Sequence, residues 1–123
     1  MLITGFIDED LIPYVKEVYV VGKNNIPIPV KAVLDTGFNG EFVLPKALQE
    51  TLQLDYVGED TSVLGDGSVI IEEAYEGQII IGNQPHTVTM TFTEDDEALI
   101  GMVLLIGKIV TLNLKNNTIT ITS

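Results

Sequence analysis

Asp35 is the ionisable residue whose position in the sequence most clearly indicates chemistry. It follows the apolar run 32–34 and precedes Thr36, Gly37 and Gly40. Because burying a carboxylate without a partner is expensive, such a residue needs either a structural partner or a function. Asp-Thr-Gly is good turn chemistry, since an aspartate oxygen can accept a hydrogen bond from the following backbone. A carboxylate aimed from the end of a rigid strand could instead activate water. The spacing alone leaves both interpretations open.

Other residue types with common catalytic or ligand roles are scarce. The sequence has no cysteine and a single histidine, His86, which disfavours thiolate chemistry, a serine-histidine triad and a histidine metal cluster. The acidic residues lack the spacing of a calcium loop, and the glycines around Asp66 do not follow a phosphate-binding pattern. We therefore expect neither a metal nor a cofactor.

Length and charge narrow the class of protein. The chain has 123 residues, of which 46% are hydrophobic and 20% charged, so we expect a single domain over residues 1–123 with one buried core. Its formal net charge of −12 disfavours nucleic acid and anionic membranes as partners. That charge either serves solubility alone or favours cationic and neutral peptides.

The sequence does not resemble that of a membrane-spanning or secreted protein. Its most apolar stretch, 99–110, is interrupted by Gly and Lys and is shorter than the about 20 residues that a spanning helix needs. The start MLITGFIDED lacks the basic and then apolar order of a signal peptide. Together with the absence of cysteine, these features predict a cytoplasmic location.

Runs of β-branched and aromatic residues, separated by turn residues, predict a mainly β domain. The predicted strands are 17–21, 26–34, 68–81, 86–92, 109–114 and 118–122. One helix is predicted over 45–54, with Pro45 as its first residue and Leu48 and Leu52 on one face. A second, shorter helix is predicted over 101–106.

Two segments of the chain echo each other. KAVLDTGFNG (31–40) and DEALIGMVLL (96–105) both lead an apolar run into a glycine and then resume with apolar residues. The first segment carries Asp35 and Thr36, whereas the second has no acid at the matching place. The two halves therefore look like related units, of which only the first has a carboxylate at this place.

Four motifs in this order resemble those of the retropepsin-like aspartic proteases of clan AA. They are LDTG at 34–37, an apolar strand into proline at 42–45, GDGS at 65–68 and LIGMVLLIG at 99–107. In particular, the chain resembles the small single-domain predicted aspartyl proteases of bacteria and archaea. The resemblance spans roughly residues 14–122 and implies a closed β-barrel of the acid-protease type with one or two short helices.

The resemblance also implies roles for individual residues. Asp35 matches the catalytic aspartate, Thr36 the residue whose hydroxyl bonds to its twin, and Gly37 the floor of the site beside the substrate. The hairpin around Gly65, Asp66 and Gly67 matches a flap that closes over a bound peptide, and 99–105 matches the segment that supports the active-site loop. The remaining candidates for contact with substrate, all apolar, are Phe38, Val63, Leu64, Val69 and Leu99.

This type of peptide hydrolysis needs two carboxylates that share a proton. One Asp-Thr-Gly per chain therefore implies a homodimer in which a two-fold axis brings the two Asp35 residues together. An aspartic endopeptidase acting on peptides or proteins is the implied activity. The alternative is a non-catalytic peptide-binding or protein-binding module on the same fold, in which Asp35 is a structural turn residue.

The sequence departs from the viral members of this family at two positions. The viral members carry an acid two residues after Asp-Thr-Gly, where this chain has Asn39. They carry an arginine after the glycine that corresponds to Gly101, where this chain has Met102. This chain therefore lacks both residues of the ion pair that the acid and the arginine form in the viral enzymes. The terminal segments could pair across a dimer, as they do in the viral enzymes, or fold back within the subunit.

Overall fold

The computed structural model describes residues 2–63 and 65–123. Strands dominate these residues: β1 (Leu2–Ile7), β2 (Pro13–Val15), β3 (Tyr19–Val21), β4 (Pro27–Pro29), β5 (Ala32–Leu34), β6 (Phe42–Pro45), β7 (Asp55–Val63), β8 (Val69–Ile81), β9 (Gln84–Thr93), β10 (Ala98–Ile100), β11 (Ile109–Asn113) and β12 (Thr118–Thr122). Helical turns are short: a 3₁₀ turn at Lys46–Leu48, the α-helix α1 at Gln49–Leu52 and a 3₁₀ turn at Met102–Leu105. The predicted mainly β fold is confirmed.

Hydrogen bonds link the twelve described strands into one sheet. Its order is β11-β12-β1-β2-β5-β10-β6-β9-β8-β3-β4, and β7 pairs with β8 outside this path. The predicted closure of the sheet into a barrel stays a prediction. Along β1 exposed and buried residues alternate, because successive side chains of a strand point to opposite faces.

The core anchors the strands that surround Asp35. The largest fully buried side chains include Phe42 and Leu44 of β6, Met90 of β9 and Ile100 of β10. Such side chains are each worth roughly 1.5–3 kcal/mol of burial free energy. β6, β9 and β10 are therefore firmly held, and the loop that leads from Asp35 into β6 has a rigid base.

Three strand pairings determine the path of the chain at Asp35. β10 lies between β5, to which it is parallel, and β6, to which it is antiparallel. Because β5 and β6 flank β10, the loop of residues 35–41 that joins them must pass across the carboxyl end of β10. β6 is in turn parallel to β9. This crossing places Asp35 next to the residues that follow Ile100.

The helix predicted over 45–54 is shorter than expected. Pro45 has an extended backbone (φ −58°, ψ 132°) and ends β6, opposite Thr93. The proline φ suits a strand end as well as a first helical turn, so the sequence signal was ambiguous. The helical turns begin at Lys46, and Gln53 ends them in the left-handed region with φ 50°. The second predicted helix is the 3₁₀ turn Met102–Leu105.

Several strand boundaries also differ from the prediction. Strand 17–21 begins only at Tyr19, because Glu17 has a left-handed backbone (φ 58°). The run 26–34 divides into β4 and β5. β7 was not predicted, because most of its residues are exposed and its pairing with β8, rather than a buried apolar face, holds it in place.

The terminal strands fold back within the chain. β1 pairs antiparallel with β12, from Leu2 opposite Thr122 to Phe6 opposite Thr118. β12 also pairs with β11. Of the two arrangements left open by the sequence, the described residues adopt the one within a subunit.

Candidate active site

Asp35 is held at the end of β5 by its own backbone. Its N–H donates to the carbonyl of Ile100 at 3.0 Å, and its carbonyl accepts from the N–H of Phe38 at 3.2 Å. The carboxylate Oδ1 accepts from the N–H of Gly37 at 3.0 Å. Asp35 is half-buried. The side chain therefore does cap the turn, while this cap uses one carboxylate oxygen and leaves the other for additional contacts.

The start of the second 3₁₀ turn supports the loop that follows Asp35. Gly101 N donates to Glu41 O at 2.9 Å, Met102 N to Phe38 O at 2.8 Å, and Val103 N to Gly40 O at 3.2 Å. These bonds satisfy the amides at the start of the turn, which have no partner inside it. The support that the resemblance assigned to segment 99–105 thus consists of backbone hydrogen bonds.

Close packing at Gly101 explains why this position is a glycine. A Cβ atom built there would lie 2.1 Å from the carbonyl oxygen of Gly40 and 2.7 Å from the ring of Phe38. Gly101 has an extended backbone (φ −92°), so steric contact rather than conformational freedom is the reason. A Cβ at Gly40 would meet the same Phe38 ring at 2.5 Å. The aromatic ring covers both glycines and closes the floor beside Asp35.

The opposite ends of β5 and β10 are tied together by a polar cluster. The hydroxyl of Tyr14 donates to Glu97, and the Lys31 amine lies 3.6 Å from the same carboxylate and 4.4 Å from the centre of the tyrosine ring. The hydrogen bond with Glu97 raises the pKa of Tyr14. Lys31 and Glu97 directly precede the two parallel strands, so this cluster helps to maintain their register.

A cleft with a volume of about 660 Å³ opens above Asp35. Its floor contains Asp35, Gly37 and Phe38, and Leu99 lies on its wall. Residues of the β7–β8 hairpin form its roof, among them Asp60, Val63, Gly65 and Glu72. The topology thus brings the Asp-Thr-Gly loop, β10 and the hairpin around one space large enough for a peptide segment.

The structure places the predicted site residues in three groups. Six of them line the cleft: Asp35, Gly37, Phe38, Val63, Gly65 and Leu99. Four are exposed and lie outside the cleft lining, namely Thr36 on the Asp35 loop and Asp66, Gly67 and Val69 at the hairpin tip. Leu64 lies outside the described residues.

The tip of the β7–β8 hairpin is a tight turn held by one aspartate. Gly67 has φ 86°, a left-handed conformation that glycine adopts without steric cost. Oδ1 of Asp66 accepts from Oγ of Ser68 at 2.6 Å and from its N–H at 2.9 Å. The hydroxyl bond first, and then the amide bond, lower the pKa of Asp66. The tip is therefore compact although its side chains are exposed.

At its base, the hairpin is anchored by Tyr75. Its ring centre lies 5.3 Å from that of Phe92 and 5.8 Å from that of Tyr56, in edge-on geometry. Its hydroxyl donates to Glu73 at 2.8 Å and accepts from the Gln49 side chain at 3.1 Å. The bond to Glu73 raises the pKa of Tyr75. These contacts make Tyr75 a packing residue at the base of the hairpin.

Sequence reasoning missed several residues of the site. Asp60 and Glu72 line the cleft from a strand pair of which only β8 was predicted. Thr91 lines it too and is 7% exposed. Glu41 was missed as well: its backbone carbonyl accepts from the N–H of Gly101 and its carboxylate from the N–H of Thr89, and local sequence patterns do not indicate such contacts.

Two properties of the described residues bear on ligands and on location. No group of three or more histidine, cysteine, aspartate or glutamate side chains in residues 2–63 and 65–123 is arranged to hold a metal ion. Over the same ranges, no helix has the length and apolar character needed to cross a membrane.

Comparisons with known proteins find likeness in structure rather than in sequence. No protein-family model and no curated protein matches the chain. A retropepsin-like aspartic protease from Rickettsia conorii is similar in structure, with a TM-score of 0.66 and 18% identity over 98% of this chain and 89% of that one. The solution structure of the simian foamy virus protease has a TM-score of 0.51 and 15% identity over 71% of this chain and 86% of that one. At these identities the likeness shows the fold alone.

Proposed function

We propose that this chain, whose fold is that of the retropepsin-like aspartic proteases, is an aspartic endopeptidase that works as a homodimer. One observation carries the proposal: Asp35 lies on the floor of a cleft of about 660 Å³ whose roof is a long hairpin. The Asp35 loop and this hairpin are two of the motifs by which the sequence resembles this family. Peptides or proteins are its substrates.

The chemistry requires two carboxylates that differ in protonation. The ionised one takes a proton from water, whose oxygen attacks the peptide carbonyl carbon, while the protonated one donates its proton to the carbonyl oxygen. The tetrahedral intermediate then collapses: the carboxyl group that took the proton from water passes it to the amide nitrogen, the C–N bond breaks, and one hydroxyl proton of the intermediate returns to the other carboxylate. Two like charges at close range cannot both ionise easily, so the pair holds one proton over an acidic pH range.

In our proposal, the second carboxylate comes from a second copy of the chain. Gly101 occupies the position in β10 that corresponds to Asp35 in β5, so the internal echo supplies no second acid there. Thr36 is exposed, and its side chain makes no hydrogen bond with another described residue. In a dimer its hydroxyl would bond to the Thr36 of the partner.

Exposed apolar residues beyond Gly101 support this dimer. Met102, Val103, Ile106 and Ile109 are between 40% and 76% exposed. An apolar surface next to an incomplete site is typical of an interface between subunits. The adjacent strand β11 is an end of the described sheet, so its outer edge is open to pairing.

We further propose that the enzyme is cytoplasmic and has neither nucleic acid nor membrane as a partner. Its cysteine-free composition suits a reducing compartment, and the net charge of −12 repels phosphate groups. We also propose that the sheet of each subunit closes into a β-barrel.

The first test is sedimentation equilibrium at acidic and neutral pH, followed by cleavage of a diverse peptide library. We expect a dimer and an activity maximum at acidic pH. A protein that stays monomeric under every condition would rule out the shared pair of aspartates.

The second candidate function is a peptide-binding or protein-binding module. It is favoured by the hydrogen bond between Gly37 N–H and Asp35 Oδ1, which gives the aspartate a structural task. Dimers that bind peptides in the cleft but cleave none of them at any pH would support this function.

A further inference from the structure

A side pocket borders the cleft on the far side of Phe38. It has a volume of about 330 Å³, and its lining includes Phe38, Glu41, Val57, Asp60 and Ala74. Phe38 and Asp60 line the cleft as well, so the pocket adjoins the space above Asp35. A substrate side chain from a peptide in the cleft could enter it.

Glu41 is fixed at one end of this pocket. Its Oε2 accepts a hydrogen bond from the N–H of Thr89 at 2.8 Å, and the residue is half-buried. The adjacent Phe42 is 1% exposed and lies in the core. This carboxylate therefore has a defined position rather than a mobile one.

Asp60 and Glu72 form a pair of like charges under the hairpin. They are directly opposite each other in the β7–β8 ladder, two residues along from the pair of Gly58 and the buried Ala74. Because side chains alternate along a strand, they lie on the same face as Ala74, where Asp60 is exposed and Glu72 half-buried. Like charges in directly opposed positions destabilise a sheet.

Neither acid belongs to an ion pair among the described residues; Lys46, which lines a neighbouring pocket together with Glu72, pairs with Glu94 instead. The lysine ion pairs found there are Lys23 with Asp55, Lys31 with Glu97 and Lys46 with Glu94. The hairpin segment 55–81 has no lysine or arginine in its sequence. A cation that enters the pocket would lie next to Glu41 and Asp60, while Glu72 lines the adjoining cleft.

We propose that the side pocket is a specificity subsite for one lysine or arginine side chain of the substrate. This inference rests on the proposed function, because it assumes a peptide in the cleft. Val57, Ala74 and the Phe38 ring contact the methylene stem, while Glu41 and Asp60 bind the charged end. Glu72 adds to the negative potential from the cleft side. Hydrophobic residues can still occupy the positions closest to the scissile bond.

The test compares peptides that differ at one position only. Each position around a cleaved bond carries lysine, acetyl-lysine or glutamate, and kcat/KM is measured for each peptide. Acetyl-lysine keeps the length of the stem and removes the charge. We expect lysine to be preferred by roughly tenfold or more at one position. A preference of equal size at every position would overturn the proposal, since it would reflect only the overall negative charge.

Two variants and a control assign the preference to the pocket. Glu41→Gln keeps an acceptor for the Thr89 amide, and Asp60→Asn keeps the shape of the side chain. Each should reduce, several-fold, the ratio of kcat/KM for the lysine peptide to kcat/KM for the acetyl-lysine peptide. Glu50→Gln makes the same change of charge at an exposed position on α1, outside the linings of the cleft and pocket, and should keep the preference. Equal effects of all three variants would contradict a local subsite.

Failure of the proposed function can be told apart from failure of this inference. Calorimetric binding of the lysine and acetyl-lysine peptides to the Asp35→Asn protein requires no catalysis. Tighter binding of the lysine peptide, lost in the double variants with Glu41→Gln or Asp60→Asn, supports the subsite even when no peptide is cleaved. Cleavage that depends on Asp35 without any charge preference supports the protease and overturns the subsite.

Discussion

Asp35 and Gly101 leave two neighbouring parallel strands at the same level, joined by the 3.0 Å hydrogen bond from the Asp35 N–H to the carbonyl of Ile100. One strand thus ends in a carboxylate and the other in a residue without a side chain. The glycine leaves room for the loop that Asp35 begins, because the Gly40 carbonyl fills the space of a Cβ at Gly101. This relationship explains both the support of the loop and the single acid.

Substitution of Asp35 separates catalysis from turn capping. Asp35→Asn keeps Oδ1 as an acceptor for the Gly37 amide, so we expect its unfolding free energy to be at most about 0.5 kcal/mol below that of the parent. The amide side chain cannot act as a base, and peptide cleavage should fall about a thousandfold or more. Urea unfolding and kcat/KM measure the two effects.

Asp35→Ala removes the cap as well and serves as the matched control. A purely structural aspartate should cost about 1 kcal/mol of unfolding free energy when it is lost. In the homodimer the substitution removes both carboxylates of the pair, and the relief of their repulsion would offset that cost. Full cleavage activity in the Asp35→Asn protein would rule out the catalytic role.

Gly101→Ala should damage the active-site loop. The new methyl group would meet the Gly40 carbonyl oxygen at 2.1 Å, so the loop or β10 must shift. We expect a loss of unfolding free energy of about 1–3 kcal/mol and a larger loss of activity. Gly65→Ala is the control, because a Cβ there meets nothing within 4 Å. Equal stability of the two variants would contradict the steric argument.

The hairpin tip should weaken in strong acid. The folded-state pKa of Asp66 is lowered by its bonds from Ser68, so this stabilisation is present above the pKa of an unfolded aspartate. It is lost as the pH falls through the lower, folded-state pKa. Carboxyl chemical shifts measured by NMR should show Asp66 titrating below an ordinary aspartate.

Ser68→Ala removes the larger of the two causes. In this variant the pKa of Asp66 should move back towards the usual value, while the backbone bond from residue 68 keeps part of the shift. An unchanged titration of Asp66 would contradict the assigned hydrogen bonds. Exchange rates of the tip amides give a second measurement, and they should rise in the variant.

Ile106→Glu should weaken the proposed dimer without unfolding the subunit. Ile106 is 76% exposed, so a charge there is solvated in the monomer and desolvated in an apolar interface. The dimer dissociation constant should rise about tenfold or more, and activity should become dependent on protein concentration. Ile26→Glu, at 59% exposure beside β4 and the other end of the sheet order, is the control. Equal dimer affinity in the two variants would place the interface elsewhere.

Local sequence patterns predicted a large part of the candidate site. An apolar run into Asp-Thr-Gly marks a strand end and a turn, and Asp66-Gly67 between apolar strands marks a hairpin, because these signals depend on neighbouring residues alone. Strand β7 was not predicted, because its pairing partner and not its own composition makes it a strand. Pairing with β9 likewise decides that Pro45 ends β6 and that the helical turns begin at Lys46.

By itself the sequence determined a mainly β chain, its strand-ending aspartate, its glycine hairpin and its excess of negative charge, since composition and short-range periodicity carry these properties. Only the tertiary structure decided that β10 lies between β5 and β6, that the hairpin roofs Asp35, and that Glu41 and Asp60 share a pocket. These relationships join residues far apart in the chain. They depend on which strands pair and on how side chains pack, and both are properties of the whole fold rather than of any segment.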